Sequence, residues 1–96
     1  MSTFITLAKL TCEGAKEIKS APMRMAERAK HLEAHEVKTV GFYLTLGDYD
    51  CVWIFEAPND RVAATVLLKW AAEGHVSTQT LKAFTAREFA EIVQEL

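Results

Sequence analysis

The chain has 96 residues, half of them hydrophobic and a quarter charged, enough for one packed core and too few for two. A formal net charge of −2, with no block of lysine and arginine interleaved with aromatics, argues against nucleic acid as a partner. No apolar run approaches the roughly 20 residues that span a bilayer, and Met1-Ser2-Thr3-Phe4-Ile5 lacks the basic start and long apolar centre of a secretion signal, so one domain over residues 1–96, in the cytoplasm and off the membrane, is expected.

Residues 3–10 carry Phe4, Ala8 and Leu10 on one side and Ile5 and Leu7 on the other. A strand apolar on both faces belongs in the middle of a sheet. Thr11 is placed to cap a short helical turn running to Lys19. Ser20-Ala21-Pro22 should interrupt that turn, because proline removes a backbone donor and restricts the residue before it. Residues 22–36 are rich in Ala, Met, Leu, Glu, Lys and Arg, and Met25, Ala29 and Leu32 form a narrow apolar stripe, which predicts a helix resting on a sheet. In residues 37–46, Val40, Phe42, Leu44 and Leu46 alternate with Thr39, Gly41, Tyr43 and Thr45, predicting a strand with one apolar and one mixed face.

Gly47-Asp48-Tyr49-Asp50 reverses the chain into the most apolar stretch, where Cys51, Trp53 and Phe55 face one way and Val52 and Ile54 the other. Both faces of that strand need cover. Pro58-Asn59-Asp60 reads as a stop followed by a helix N-cap, and Val62, Ala63, Val66, Leu67 and Trp70 then recur at helical spacing until Gly74. In residues 75–85, Val76, Thr78, Thr80 and Phe84 oppose Ser77, Gln79 and Leu81, a strand whose polar middle suits a sheet edge. Thr85 and Glu88 have the spacing of a capping box, with Phe84 and Phe89 at the positions of a hydrophobic staple, and they open a terminal helix with Phe89, Ile92, Val93 and Leu96 on one stripe.

The element order β-α-β-β-α-β-α fits a split βαβ plait of the ferredoxin-like kind: an α+β fold with a four-stranded antiparallel sheet, the first and third strands central and two main helices on one face. The other sheet face has no cover within one chain. A second copy packed sheet to sheet is the expected cover, which makes the chain its own first partner as a homodimer or part of a higher oligomer.

Gly47, one variable residue and Tyr49-Asp50 resemble the signature of the GYD domain family of small bacterial and archaeal proteins. Phe4-Ile5-Thr6-Leu7, Gly41-Phe42-Tyr43-Leu44-Thr45, Phe55-Glu56-Ala57-Pro58-Asn59-Asp60 and Thr78-Gln79-Thr80-Leu81-Lys82-Ala83-Phe84-Thr85 extend the resemblance over nearly the whole chain. It implies a ferredoxin-like fold of the dimeric α/β-barrel type and no established biochemical activity. At His75-Val76-Ser77 the chain departs from the Asn-Val-Arg expected in many relatives.

Four side chains are candidates for a site that takes a small, partly apolar ligand: Tyr43, Tyr49, Asp50 and Trp53. Asp50 could act as a base or acceptor and Tyr49 as a phenol donor at the mouth of a cleft between sheet and helices. Turn chemistry explains the same residues, with Gly47 supplying a backbone conformation and Asp50 bonding amides. Tyr43 and Trp53, with Thr6 and Thr45, could line a pocket on one sheet face, or Trp53 could anchor the dimer. The alternative functions are a cofactor-independent enzyme of the oxygenase or isomerase type and a purely structural self-association module. No metal is expected: His31 and His35 stand four apart on a helix, but Glu33 lies off their shared face. His75, just after Gly74, reads as a cap at a helix end, where a cation is favoured. Cys12 and Cys51 match no zinc or redox spacing, and Cys51 reads as an inert core thiol. No cofactor is expected.

Overall fold

A computed structural model describes residues 1–96. The chain runs β1 (Ser2–Leu10), α1 (Cys12–Lys16), a 3-10 turn (Ile18–Ser20), α2 (Ala21–Ala34), β2 (Lys38–Leu44), β3 (Cys51–Ala57), α3 (Asp60–Ala72), β4 (Val76–Ala83) and α4 (Ala86–Gln94). The four strands form one antiparallel sheet in the order β2-β3-β1-β4. The two strands that are apolar on both faces are therefore the central ones, and the fold is the ferredoxin-like α+β plait.

Register divides the sheet cleanly. On the helix side Phe4 lies opposite Phe55, Thr6 opposite Trp53 and Ala8 opposite Cys51. On the other side Ile5 lies opposite Ile54 and Leu7 opposite Val52. The helix-side residues meet Ala63, Val66 and Trp70 of α3 to form the core. Its aromatic centre is tightly ordered: Trp53 stacks on Phe55 at 4.0 Å, Phe55 on Phe4 at 5.3 Å, and Trp70 meets Trp53 edge-on at 5.9 Å. Thr6 is fully buried there, and its hydroxyl is satisfied by that of Thr80 at 2.8 Å. Trp53, with 5% exposure, faces the helices and is not available to anchor a sheet-to-sheet dimer, which corrects that expectation.

A bulge corrects the alternation expected for β2. Thr39 pairs with Phe55 and Gly41 with Ile54, so Val40 is an extra residue without a partner. Thr39 thereby joins Phe42 and Leu44 on the helix side, where its Oγ1 accepts a hydrogen bond from Trp53 Nε1–H at 3.0 Å. Tyr43 stays on the opposite face, its ring lying over Gly41. Leu46 falls beyond the strand and is 98% exposed.

Thr11 ties α1 to the end of α3. Its Oγ1 accepts from Gly14 N–H and donates to Gly74 O, and its N–H donates to His75 O. The approach is close enough that a Cβ on Gly14 would sit 2.0 Å from His75 O, so only glycine fits. At the other end, the Thr85–Glu88 capping box is formed in both directions. The bonds from Thr85 hold the Glu88 carboxyl below its ordinary pKa. Beyond that cap, α4 contributes no buried residue. Phe89, Ile92, Val93 and Leu96 all remain exposed. The radius of gyration, 14.5 Å, accordingly exceeds the ~12.5 Å of a compact chain this long. No helix is long and apolar enough to cross a membrane.

Candidate functional site

The loop between β2 and β3 works as a clasp on β1. Gly47 has φ +121°, a region that side chains other than hydrogen strongly disfavour. Thr45 closes the loop, its N–H donating to Asp50 O and its Oγ1 to Tyr49 O. Asp50 N–H then donates to Ala8 O at 2.8 Å, while the Asp50 carboxylate accepts the N–H of Leu10, also at 2.8 Å. Pairing of β1 with β3 ends at Ala8 and Cys51. The carboxylate thus stands in for the next backbone carbonyl of a strand that has already turned away. Without it the Leu10 amide would face that side unpaired, which is costly in a partly buried place.

Tyr49 points the other way. Its hydroxyl donates to Gln79 Oε1 at 2.7 Å, and Lys9 Nζ lies 5.3 Å from its ring centre. Lys9 and Gln79 belong to the face without helices, so Tyr49 straps β1 to β4 there rather than standing at the mouth of the cleft. Of the four candidate side chains, Tyr43 and Tyr49 lie on the open face, and Asp50 and Trp53 lie on the helix side. They do not converge on one place.

Two hollows lie beneath α2. The larger, about 190 Å³, is lined by Met25, Arg28, Ala29, Leu32, Thr39, Phe42, Trp53 and Trp70. The second, about 130 Å³, shares Met25, Arg28, Phe42 and Trp70 with it and continues to Leu44, Asp50, Cys51 and His75. α2 contributes no fully buried residue, and Ala29 leaves space in the middle of its stripe, so the hollows remain beneath it. Predominantly apolar concavities with a few polar groups are the usual make-up of a small-ligand site. Arg28, Thr39, Phe42 and Trp70 were not among the candidates. The sequence signal for Arg28 was its position in the run 25, 28, 29, 32, which follows one helical face.

Arg28 connects the hollows to a polar groove between α2 and α3, bordered by Arg24, Glu27, His31, Lys69, Glu73 and His75. Its Nη2–H donates to Glu73 Oε1 at 2.7 Å, and its guanidinium lies 5.3 Å from the Trp70 ring centre. Arg28 Nε, His31 Nε2 and His75 Nδ1 are buried without a hydrogen-bond partner. His75 Nε2 lies 2.6 Å from Glu17 Oε2 and its Nδ1 3.9 Å from Glu73 Oε1, so His75 joins α1 to the end of α3 rather than simply capping a helix in solvent. His35 Nδ1 meets His31 O at 3.0 Å, which occupies one ring nitrogen of the pair. Desolvation, and then Lys69 and His35, lower the His31 pKa. Burial, and then the charge of Asp50, push the Cys51 thiol up, which disfavours the reactive thiolate.

The face of the sheet away from the helices carries a half-buried apolar patch. Ile5, Leu7, Val52 and Ile54 are contiguous across the two central strands, and no helix of the chain lies over them. Leu81 and Tyr43 flank them on the outer strands, 44% and 58% exposed. Thr3, Lys9, Lys38, Glu56 and Gln79 make a polar rim on the same face.

A family profile described as "GYD domain" matches residues 4–93. A protein of Thermus thermophilus named "Glutamine synthetase and cystathionine beta-lyase binding protein" is 39% identical over 84 residues, covering 86% of this chain and 88% of that protein. No solved structure matches the chain.

Proposed function

The chain belongs to the GYD domain family, and on that premise we propose that it is a homodimeric binding protein whose partners are other proteins, metabolic enzymes among them. The observation that carries this reading is the open sheet face. Four aliphatic side chains in contiguous register on the two central strands form a patch that water penalises. A second copy covers it with matching chemistry, because a two-fold axis sets the same patch against itself. Sheets packed this way sit about 10 Å apart with interdigitating side chains, and the polar rim closes the edge.

The Thermus relative supports the second half of the reading, since its name describes binding to two enzymes. The apolar stripe of α4, exposed along Phe89, Ile92, Val93 and Leu96, is a second apolar surface that a partner enzyme could use. The direct test is biolayer interferometry of the purified protein against purified glutamine synthetase and cystathionine beta-lyase from the same organism. Saturable binding to either enzyme is expected. Absence of binding to both at tens of micromolar would contradict an inherited partner set.

A second reading concerns a small, partly apolar ligand in the cleft beside Asp50, and the two adjoining hollows beneath α2 favour it. It places the ligand on the helix side, with Trp53 as wall and Asp50 at the far end, and leaves Tyr43 and Tyr49 to the dimer face. Co-purified small molecules released on denaturation and identified by mass spectrometry are its test, and an empty protein that also ignores added apolar probes would count against it.

A further inference from the structure

We propose that the hollow beneath α2 binds a small amphipathic monocarboxylate, with an apolar body between Trp53, Trp70, Phe42 and Met25 and its carboxylate on the guanidinium of Arg28. This deepens the cleft-ligand reading and rests on it; it does not depend on the dimer.

Size sets the body. A volume of about 190 Å³ exceeds the ~150 Å³ of an engineered apolar cavity that admits benzene. One six-membered ring or a branched aliphatic chain fits, and the adjoining hollow of about 130 Å³ gives room for a short extension of about four further heavy atoms. The indole of Trp53 and the edge-on indole of Trp70 offer flat walls to such a body.

Charge sets the head. Arg28 lines both hollows, yet it commits only Nη2 to Glu73, and its Nε–H is enclosed without an acceptor. An enclosed donor with no partner is unfavourable. A carboxylate entering the hollow gives the guanidinium the second acceptor that Glu73 does not supply, in the forked geometry that arginine favours. Thr39 adds a donor: its oxygen already accepts from Trp53 Nε1–H, so the hydroxyl proton is free to point at the ligand. The surroundings limit the head to one negative charge. Glu73 already takes one N–H of Arg28, and Asp50 lines the far end of the second hollow beside Arg24 and Arg28, so a doubly charged phosphate there would meet carboxylate charge that a single carboxylate on Arg28 avoids.

Both tryptophans of the chain line this hollow, so intrinsic fluorescence reports on it directly. The probes are phenylacetate, its neutral analogue 2-phenylethanol, and acetate, which has the head without the body. Phenylacetate is expected to give a saturable change, with 2-phenylethanol about tenfold or more weaker and acetate silent. Arg28→Met, which keeps the apolar stem, should bring phenylacetate down to the level of the alcohol. Ala29→Leu, which fills the hollow from α2, should abolish binding of both. Equal affinity of phenylacetate and 2-phenylethanol for the unsubstituted protein would overturn the carboxylate assignment and leave an apolar cleft standing. Silence with every probe would overturn the cleft as well. Because the probe comparison uses the unsubstituted protein, it decides the matter even if Arg28→Met fails to fold.

Discussion

Replacing Ile54 by lysine strikes the middle of the open face while leaving the core alone. Ile54 sits opposite Ile5 on β1 and beside Gly41 on β2, and it is only partly covered within the chain. In the isolated subunit a lysine stem can follow the same apolar surface with its ammonium in water, so folding should change little. In the dimer the substitution loses about 1 kcal/mol of apolar burial. It also places an ammonium in the contact, costing about 2–3 kcal/mol even when the charge escapes toward the rim. A two-fold interface contains the change twice, giving about 6–8 kcal/mol and a dissociation constant raised by roughly four to six powers of ten. Sedimentation velocity at micromolar protein should then show one chain mass for Ile54→Lys. It should still show a dimer for Leu68→Lys, which alters a 70% exposed position on α3. An Ile54→Lys protein that keeps its far-ultraviolet circular dichroism and remains dimeric would refute the sheet-face contact.

Three further outcomes test the local arguments. Gly14→Ala forces a methyl to within 2.0 Å of the His75 carbonyl and should cost about 1–3 kcal/mol in urea unfolding; an unchanged midpoint would show that α1 is not held as tightly as described. Asp50→Ala strips the acceptor from the Leu10 amide and should cost about 1–3 kcal/mol, whereas Asp50→Asn, which keeps a side-chain oxygen, should cost clearly less. Equal losses would mean that charge rather than the hydrogen bond matters. Glu88 has a depressed carboxyl pKa in the folded chain, so its capping contribution is complete above the ordinary carboxyl value and is lost as pH falls through the folded one. Carbon-detected NMR titration of the Glu88 carboxyl should give a midpoint below that of an exposed glutamate, and Thr85→Ala should bring it back up.

The strand pattern made most of the fold legible, and its failures have specific causes. β1 and β3 alternate without interruption, so their central positions followed from residue type alone. β2 did not behave the same way because the bulge at Val40 shifts the phase of everything before Gly41, and its local signal, a lone glycine inside a strand pattern, does not give the direction of the shift. The candidate site suffered from a related ambiguity. A period of two says that Tyr49 and Asp50 diverge and that Trp53 opposes Ile54, but it does not say which face the helices take. Only the packing of Ala63, Val66 and Trp70 against Trp53 and Phe55 fixes that. The hollow beneath α2 was less legible still, because it depends on how high a helix with a small residue at its centre rides over the sheet. The Gly-x-Tyr-Asp turn was recognisable as an identifying mark. The bond from the Leu10 amide to Asp50, spanning forty residues, required the tertiary structure.

The central claim is that the uncovered face of the sheet is the surface on which two copies meet. Light scattering behind a size-exclusion column, run on the unsubstituted protein at micromolar concentration, tests it most directly. A molar mass twice that of the chain is expected. A single-chain mass under those conditions would contradict it.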